Sequence, residues 1–346
     1  MEAVLDTAVL ELQQALTEVT LPWYLGFSGG KDSTAVLKLL WEAQDRLPLS
    51  NRREVTLVYC DTGVDIPLIG RFVLGNLERL CEEAAANSIP LDVRVAKPPV
   101  THRFFVRVIG RGYPPPTNSF RWCTKFLRIN PVKQIMGESK KKRVMMLGLR
   151  KKESEQRKRS GERFSTENHK WFYQGGDKKR TRVYCPIYDW DTPDVWEALV
   201  RLGRPSCIDV AELARIYRSA GGECPIIRDP KAPPCGKGRF GCWTCTVVRR
   251  DRAVGNLIES GHGDLEPLLR FRDWLAAVRN DDDLRCRFRR NGAQGPGPFK
   301  LRARRQILER LLLVQEESGI ELVSDEEITE IERLWHVDEA SNLYKE

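Results

Sequence analysis

The chain has 346 residues, 41% of them hydrophobic, and a formal net charge of +9. That is enough apolar material for one large or two modest domains, and no apolar run approaches the ~20 residues of a membrane span, so no membrane contact is expected. The N-terminus, Met1-Glu2-Ala3-Val4, lacks the basic and apolar regions of a secretory leader, so a cytoplasmic protein is expected. In that compartment ten cysteines argue for metal or redox chemistry over structural disulfides.

In chain order, residues 4–16 read as an amphipathic helix, followed by a short strand at Trp23, Tyr24 and Leu25. The next segment is Gly-Phe-Ser-Gly-Gly-Lys-Asp-Ser-Thr, residues 26–34, and it runs into the helical pattern Ala35, Val36, Leu37, Leu39 and Leu40. This is a strand, a glycine-rich turn and a helix start. Gly29 and Gly30 let the backbone approach an oxyanion, and the helix N-terminus presents N–H groups to it. Lys31 adds a charge, Ser28, Ser33 and Thr34 add hydroxyls, and Asp32 adds a carboxylate. The spacing is not that of a Walker A loop, because Asp32 follows the lysine and the turn is shorter.

A second buried-type strand, residues 54–60, ends in Asp61-Thr62-Gly63. A helix over 66–84 and an alternating strand over 91–96 follow. Alternation of strands and helices predicts an α/β fold with a doubly wound, mostly parallel sheet, whose ligands bind at the C-terminal ends of strands. Pro114-Pro115-Pro116 makes 111–120 a loop, and Cys123 opens a basic helical stretch to about Met136. Residues 143–149 read as a strand, 150–159 as a charged helix start, 160–179 as a polar flap, and 183–190 as a last strand before a helix capped by Asp191. We expect a nucleotide domain over 1–205 and a cysteine-rich, helical region over 206–346. The latter has helices near 253–259, 264–278 and 301–317, and a final helix behind the Ser324/Glu327 capping box.

Charge is uneven. Residues 140–182 hold sixteen Lys/Arg against five Asp/Glu, 285–305 hold eight Lys/Arg and no acid, and 316–346 hold eleven acids and two bases. The two basic segments suit a polyanion, and a solvated surface explains them equally well. Cys224, Cys235, Cys242 and Cys245 fall within 22 residues, and Cys242-Trp-Thr-Cys245 has a metal-gripping spacing. Zinc, an iron–sulfur cluster and a redox dithiol all fit that spacing. Cys60, Cys81, Cys185, Cys207 and Cys286 are isolated and read as packing residues.

The string at 28–33 resembles the PP-loop of ATP pyrophosphatases, which cleave ATP between the α and β phosphates. The whole order is similar to the adenosine-phosphosulfate reductase group of PP-loop proteins over about residues 20–250. It runs through the PP-loop, Asp61-Thr62-Gly63, Cys123-Thr-Lys125, Gly148-Leu-Arg150-Lys-Lys-Glu-Ser154 with Arg157, Pro186-Ile-Tyr-Asp-Trp190 with Asp194-Val-Trp196, and Cys242-x-x-Cys245. Within that group the glycine- and cysteine-rich string 221–248 resembles the DndC-type and SspD-type sulfurtransferases of bacterial DNA phosphorothioation.

The resemblance implies ATP held by Ser28, Gly29, Gly30, Lys31, Asp32, Ser33, Thr34, Asp61, Gly148 and Arg150. Asp32 and Asp61 would face Mg2+, and Arg150 and Arg157 would neutralise transition-state charge. It implies a 4Fe–4S cluster on Cys123, Cys242 and Cys245 with Cys235 as the fourth ligand. Cys224 is then the sulfur carrier, or the fourth ligand in Cys235's company with Cys123 as carrier. The implied partners are DNA, a cysteine desulfurase of the DndA, SspA or IscS type, and other phosphorothioation subunits. A PP-loop enzyme of tRNA thiolation is the alternative. A sulfonucleotide reductase is disfavoured because no cysteine follows Cys286.

Overall fold

The computed structural model describes residues 2–137, 141–151, 170–173, 180–221 and 240–340. Helix α1 (Glu2–Glu18) leads into strand β1 (Trp23–Phe27), followed by α2 (Lys31–Asp45), β2 (Val55–Cys60), α3 (Pro67–Ala86) and β3 (Leu91–Ala96). After a wide-turned helical segment (Thr124–Ile129) and α4 (Asn130–Ile135), the chain adds β4 (Arg143–Met146), β5 (Trp171–Tyr173) and β6 (Thr181–Tyr184). The six strands lie in the order β3-β2-β1-β4-β6-β5. All neighbours are parallel except β5 and β6. The expected mostly parallel α/β sheet is therefore present.

Three boundaries differ from expectation. The strand sought over 143–149 ends at Met146, and the one sought over 183–190 spans Thr181–Tyr184. Pro186 has no N–H for a ladder, and the chain turns through Cys185–Asp189 instead, with Tyr188 N–H donating to the Cys185 carbonyl. Within the expected flap, Trp171–Tyr173 forms the antiparallel edge strand, held by aromatic packing of Trp171 on Tyr184 and Trp23.

Helix α2 is buried on almost every side, because it lies between the sheet and its neighbours α1 and α5 (Thr192–Arg201). Its Leu37, Leu39, Leu40 and Trp41 join one core with Leu25, Leu57, Val73, Trp196 and Tyr217, the last from α6 (Val210–Ser219). Lys38 is buried in this helix. Its ammonium donates to the carbonyls of Leu202 and Pro205, which satisfies it and ties down the chain after α5.

A second core gathers Phe104–Ile109 and Trp122 with Trp243 and with helices α7 (Arg252–Glu259), α8 (Glu266–Val278), α9 (Leu301–Ser318) and α10 (Asp325–Ala340). The cap expected at Asp191 forms, as a full capping box with Asp194, and the box expected at Ser324/Glu327 forms as well. No helix among the described residues is long and apolar enough to cross a membrane.

Candidate functional site

Strand order sets the site. From β1 the chain steps outward through β2 and β3, then returns to pair β4 on the other side of β1. A crevice opens at such a reversal, above the C-terminal ends of the two strands. Register places Phe27 beside Tyr59, and Leu25 beside Met146, so the PP-loop, Asp61 and Gly148 all leave the sheet at one edge.

Glycine is required at two points there. Gly29 has φ +71°, and a Cβ on it would lie 2.0 Å from Val73 Cγ2. A Cβ on Gly148 would lie 2.8 Å from the Asp32 carbonyl and from Ser33 N. The β4 loop therefore lies directly on the start of α2. Gly30 caps α2 without a side chain, and a helix N-terminus of this kind favours an anion above it. Ser28 and Ser33 hydroxyls are 3.1 Å apart, which closes the turn.

Asp32 is held between two cations. Arg150 Nε donates to its Oδ1 at 2.5 Å and Lys31 Nζ to its Oδ2 at 3.1 Å. Arg150 is almost fully buried, and its Nη1 also donates to the Thr192 hydroxyl at 3.3 Å. The β4 loop, the PP-loop and the start of α5 are thus locked by one guanidinium. Next to it, Lys151 pairs with Asp189 at 2.6 Å. Asp61 accepts from Gly63 N–H and lies 3.5 Å from Lys97 Nζ. Arg157 lies outside the described residues.

Sequence reasoning passed over Tyr217. Its hydroxyl accepts the backbone N–H of Lys31 at 3.0 Å, and its ring lies under the Lys31 ammonium at 5.3 Å. It therefore sits at the helix end where an anion would bind.

Of the cysteines, Cys224 and Cys235 lie outside the described residues. Cys242 and Cys245 sit on a turn that docks on the Asp61-Thr62-Gly63 motif: Trp243 N–H donates to Val64 O, and Cys242 bridges to Asp65. Arg128 Nη2 lies 3.6 Å from Cys242 Sγ and 3.5 Å from Asp65 Oδ1. Thr62 Oγ1 is 3.7 Å from the same sulfur. Burial pushes the Cys242 thiol up to about 11 against the pull of Arg128, and burial also raises Cys123, which senses the charge of Cys245. Cys60 Sγ donates to the Leu127 carbonyl, and its thiol, likewise raised by burial, senses Arg128 and Cys242. Three thiols of the expected ligand set thus share one region. Among the described residues no three Cys, His, Asp or Glu side chains converge as a metal site.

The cysteine turn is braced from α8. Arg272, 1% exposed, donates to the carbonyls of Cys245, Val248 and Arg249. Arg279 donates to the carbonyls of Pro116 and Thr246.

Much of the basic charge is spent internally. Arg143 caps Met136 and Gly137, Lys170 pairs with Glu11, and Arg182 lies over the Trp171 ring. In the second segment, Arg285 binds carbonyls of Arg279, Pro296 and Gly297, while Arg304 and Arg305 pair with Asp338 and Glu339 of the acidic final helix.

Residues 22–247 match the family described as the phosphoadenosine phosphosulfate reductase domain. An uncharacterized protein of Methanocaldococcus jannaschii is 24% identical over 209 residues, 59% of this chain, and the chain covers 37% of that protein's length. Phosphoadenylyl-sulfate reductase from Candida auris, in a phosphate complex, is similar with TM-score 0.33 at 14% identity, over 57% of this chain and 86% of that one. The FMN adenylyltransferase of Candida glabrata with FMN and an ATP analogue gives TM-score 0.38 at 12% identity, over 90% and 83%. The family match takes in β1, the PP-loop, the Gly148–Arg150 clasp and the Cys242–Cys245 turn, more than half of the sequence. The chain therefore belongs to the phosphoadenosine phosphosulfate reductase domain family.

Proposed function

We propose that this protein is an ATP pyrophosphatase that activates a DNA phosphodiester for sulfur transfer. The observation that carries the reading is the PP-loop at the β1/β4 reversal, locked to the β4 loop by the Arg150–Asp32 pair. ATP would lie across the strand ends, with its β and γ phosphates over Gly29, Gly30 and the first N–H groups of α2, held by Lys31, Ser28, Ser33 and Thr34. Gly148 leaves the room, and Arg150 and Arg157 would offset charge that builds as the α–β bridge breaks.

A non-bridging phosphate oxygen of DNA attacks the α-phosphorus, pyrophosphate leaves, and the DNA phosphorus then carries AMP. The terminal sulfur of a persulfide loaded by a cysteine desulfurase attacks that phosphorus and expels AMP, and a second thiol then cleaves the S–S bond, which leaves the phosphorothioate and a disulfide. Asp61 suits Mg2+ on the nucleotide, whereas Asp32 already has a cation on each oxygen and serves to aim Lys31 and Arg150. Cys123, Cys242 and Cys245, with Cys235, would be the thiolates of a 4Fe–4S cluster, which would supply an iron–sulfur site for handling sulfide. Cys224 would carry the sulfur. The DndC- and SspD-like character of the cysteine string supports DNA as acceptor.

The test is to supply ATP, cysteine, a desulfurase and DNA, then digest the DNA and search for phosphorothioate-linked dinucleotides by mass spectrometry. Their appearance is expected. Thiolated nucleosides in tRNA, with none in DNA, would replace the acceptor.

A further inference from the structure

Residues 285–299 fold back as a hairpin on the second core. Arg285 bridges to Phe299 and Phe288 to Gln294, and Cys286 N–H, Arg289 N–H and Gly295 N–H donate to Pro298, Ala293 and Arg287 carbonyls. Its base is tied to the loop ahead of Cys123, because Phe299 N–H donates to Gly112 O and Arg290 to the Arg111 carbonyl. The arm is thus built rather than slack.

What this arm displays is unusual for a soluble surface. Phe288 is 59% exposed, flanked by the exposed Arg287 and Arg289, and no acid occurs over 285–305. Arg290, in the turn of the same hairpin, places its guanidinium over the Tyr113 ring at 5.5 Å. Tyr113 in turn stacks on Phe120, with centroids 6.3 Å apart and planes 14° apart, and Phe120 is 44% exposed. Phe120 lies three residues before Cys123. A row of aromatic faces with arginines between them therefore runs from the hairpin toward the cysteine region. An exposed ring between two exposed arginines fits neither a core nor an ordinary solvated face.

We propose that this hairpin and the Tyr113–Phe120 stack form a platform for single-stranded DNA, with unstacked bases on Phe288 and Phe120 and phosphates on Arg287 and Arg289. The charge selects a polyanion, and the open π-faces select bases free of a duplex, whose own stacking would hide them. The inference rests on the DNA reading above and narrows its substrate to a strand whose bases are accessible.

The test uses the full chain and three probes of equal length: oligo(dT), the same strand with abasic sites, and a duplex. Phe288→Ala should weaken oligo(dT) binding about 5- to 150-fold, the range for loss of one stacked base, and leave the abasic strand unaffected. Phe288→Trp should keep wild-type binding, which separates stacking from folding. Arg287→Ala with Arg289→Ala should reduce the salt slope of log K on oligo(dT) by about 1.4. Wild-type oligo(dT) affinity in Phe288→Ala, or tighter binding of duplex than of single strand, would overturn the platform. If DNA-stimulated pyrophosphate release persists while Phe288→Ala binds like wild type, only the platform falls. If Phe288-dependent binding holds but no pyrophosphate is ever released, the catalytic reading falls and the platform stands.

Discussion

Gly148→Ala tests whether the β4 loop and the PP-loop form one site. The added Cβ would stand 2.8 Å from Asp32 C, Asp32 O and Ser33 N, all of them backbone. No side chain can swing aside, so the start of α2 or the β4 loop must shift by several tenths of an ångström. Overpacking of this kind costs about 1–3 kcal/mol, or a fall of roughly 2–10 °C in Tm. The control is Gly75→Ala in α3, where a Cβ meets nothing within 4 Å and the helix gains about 0.5–1 kcal/mol. ATP at a hundredfold excess over Kd should stabilise the wild type by about 2.7 kcal/mol. Both variants are melted with and without ATP, followed by circular dichroism. Gly148→Ala should lose the ATP-dependent rise, because the displaced backbone is the phosphate cradle, while Gly75→Ala keeps it. A Gly148→Ala protein with wild-type Tm and a wild-type response to ATP would refute the reasoning.

Three further outcomes follow from individual contacts. Tyr217→Phe removes the acceptor of Lys31 N–H and should cost about 1 kcal/mol without nucleotide, with ATP restoring most of it, as read from melts with and without ATP. Arg272→Ala strands the carbonyls of Cys245, Val248 and Arg249; it should cost about 3 kcal/mol or more and speed alkylation of Cys245, with Arg272→Lys intermediate. Burial and the hydrogen bond to Glu83 push the Cys207 thiol up from 9.0 to about 12. The folded state then holds that proton when the unfolded state has lost it, so the contribution is intact below pH 9 and drains away as pH rises toward 12. Urea titrations in reductant should show wild type losing about 1 kcal/mol more than Cys207→Ala between pH 9 and 10.

The strand-turn-helix of the PP-loop was legible because glycines, a helix period and a preceding apolar run coincide within about a dozen residues. The Asp191 and Ser324 caps were legible for the same local reason. Other features depend on partners distant in sequence. Tyr217 reaches Lys31 across 186 positions, and nothing in its sequence surroundings marks it as a residue of the site. Helix α6 does carry helical spacing in Val210, Leu213, Ala214 and Tyr217 behind the Asp209 cap, but the glycine- and cysteine-rich composition after it dominates that stretch. Strand β5 is three residues long and owes its place to the Trp171, Tyr184 and Trp23 rings. Charge blocks are the least resolved by sequence. Arg285, Arg304 and Arg305 look like one polyanion surface, yet they bind carbonyls and the acidic helix α10, and only the fold shows that Arg287 and Arg289 stand exposed.

Pyrophosphate release from ATP by anaerobically purified protein, with and without DNA, bears most directly on the proposed chemistry. The account predicts pyrophosphate release that is stimulated by DNA, matched by AMP retained on the DNA until a sulfur donor is added, and lost in Lys31→Ala. Release of ADP and orthophosphate, or pyrophosphate release that ignores both DNA and the loss of Lys31, would contradict it.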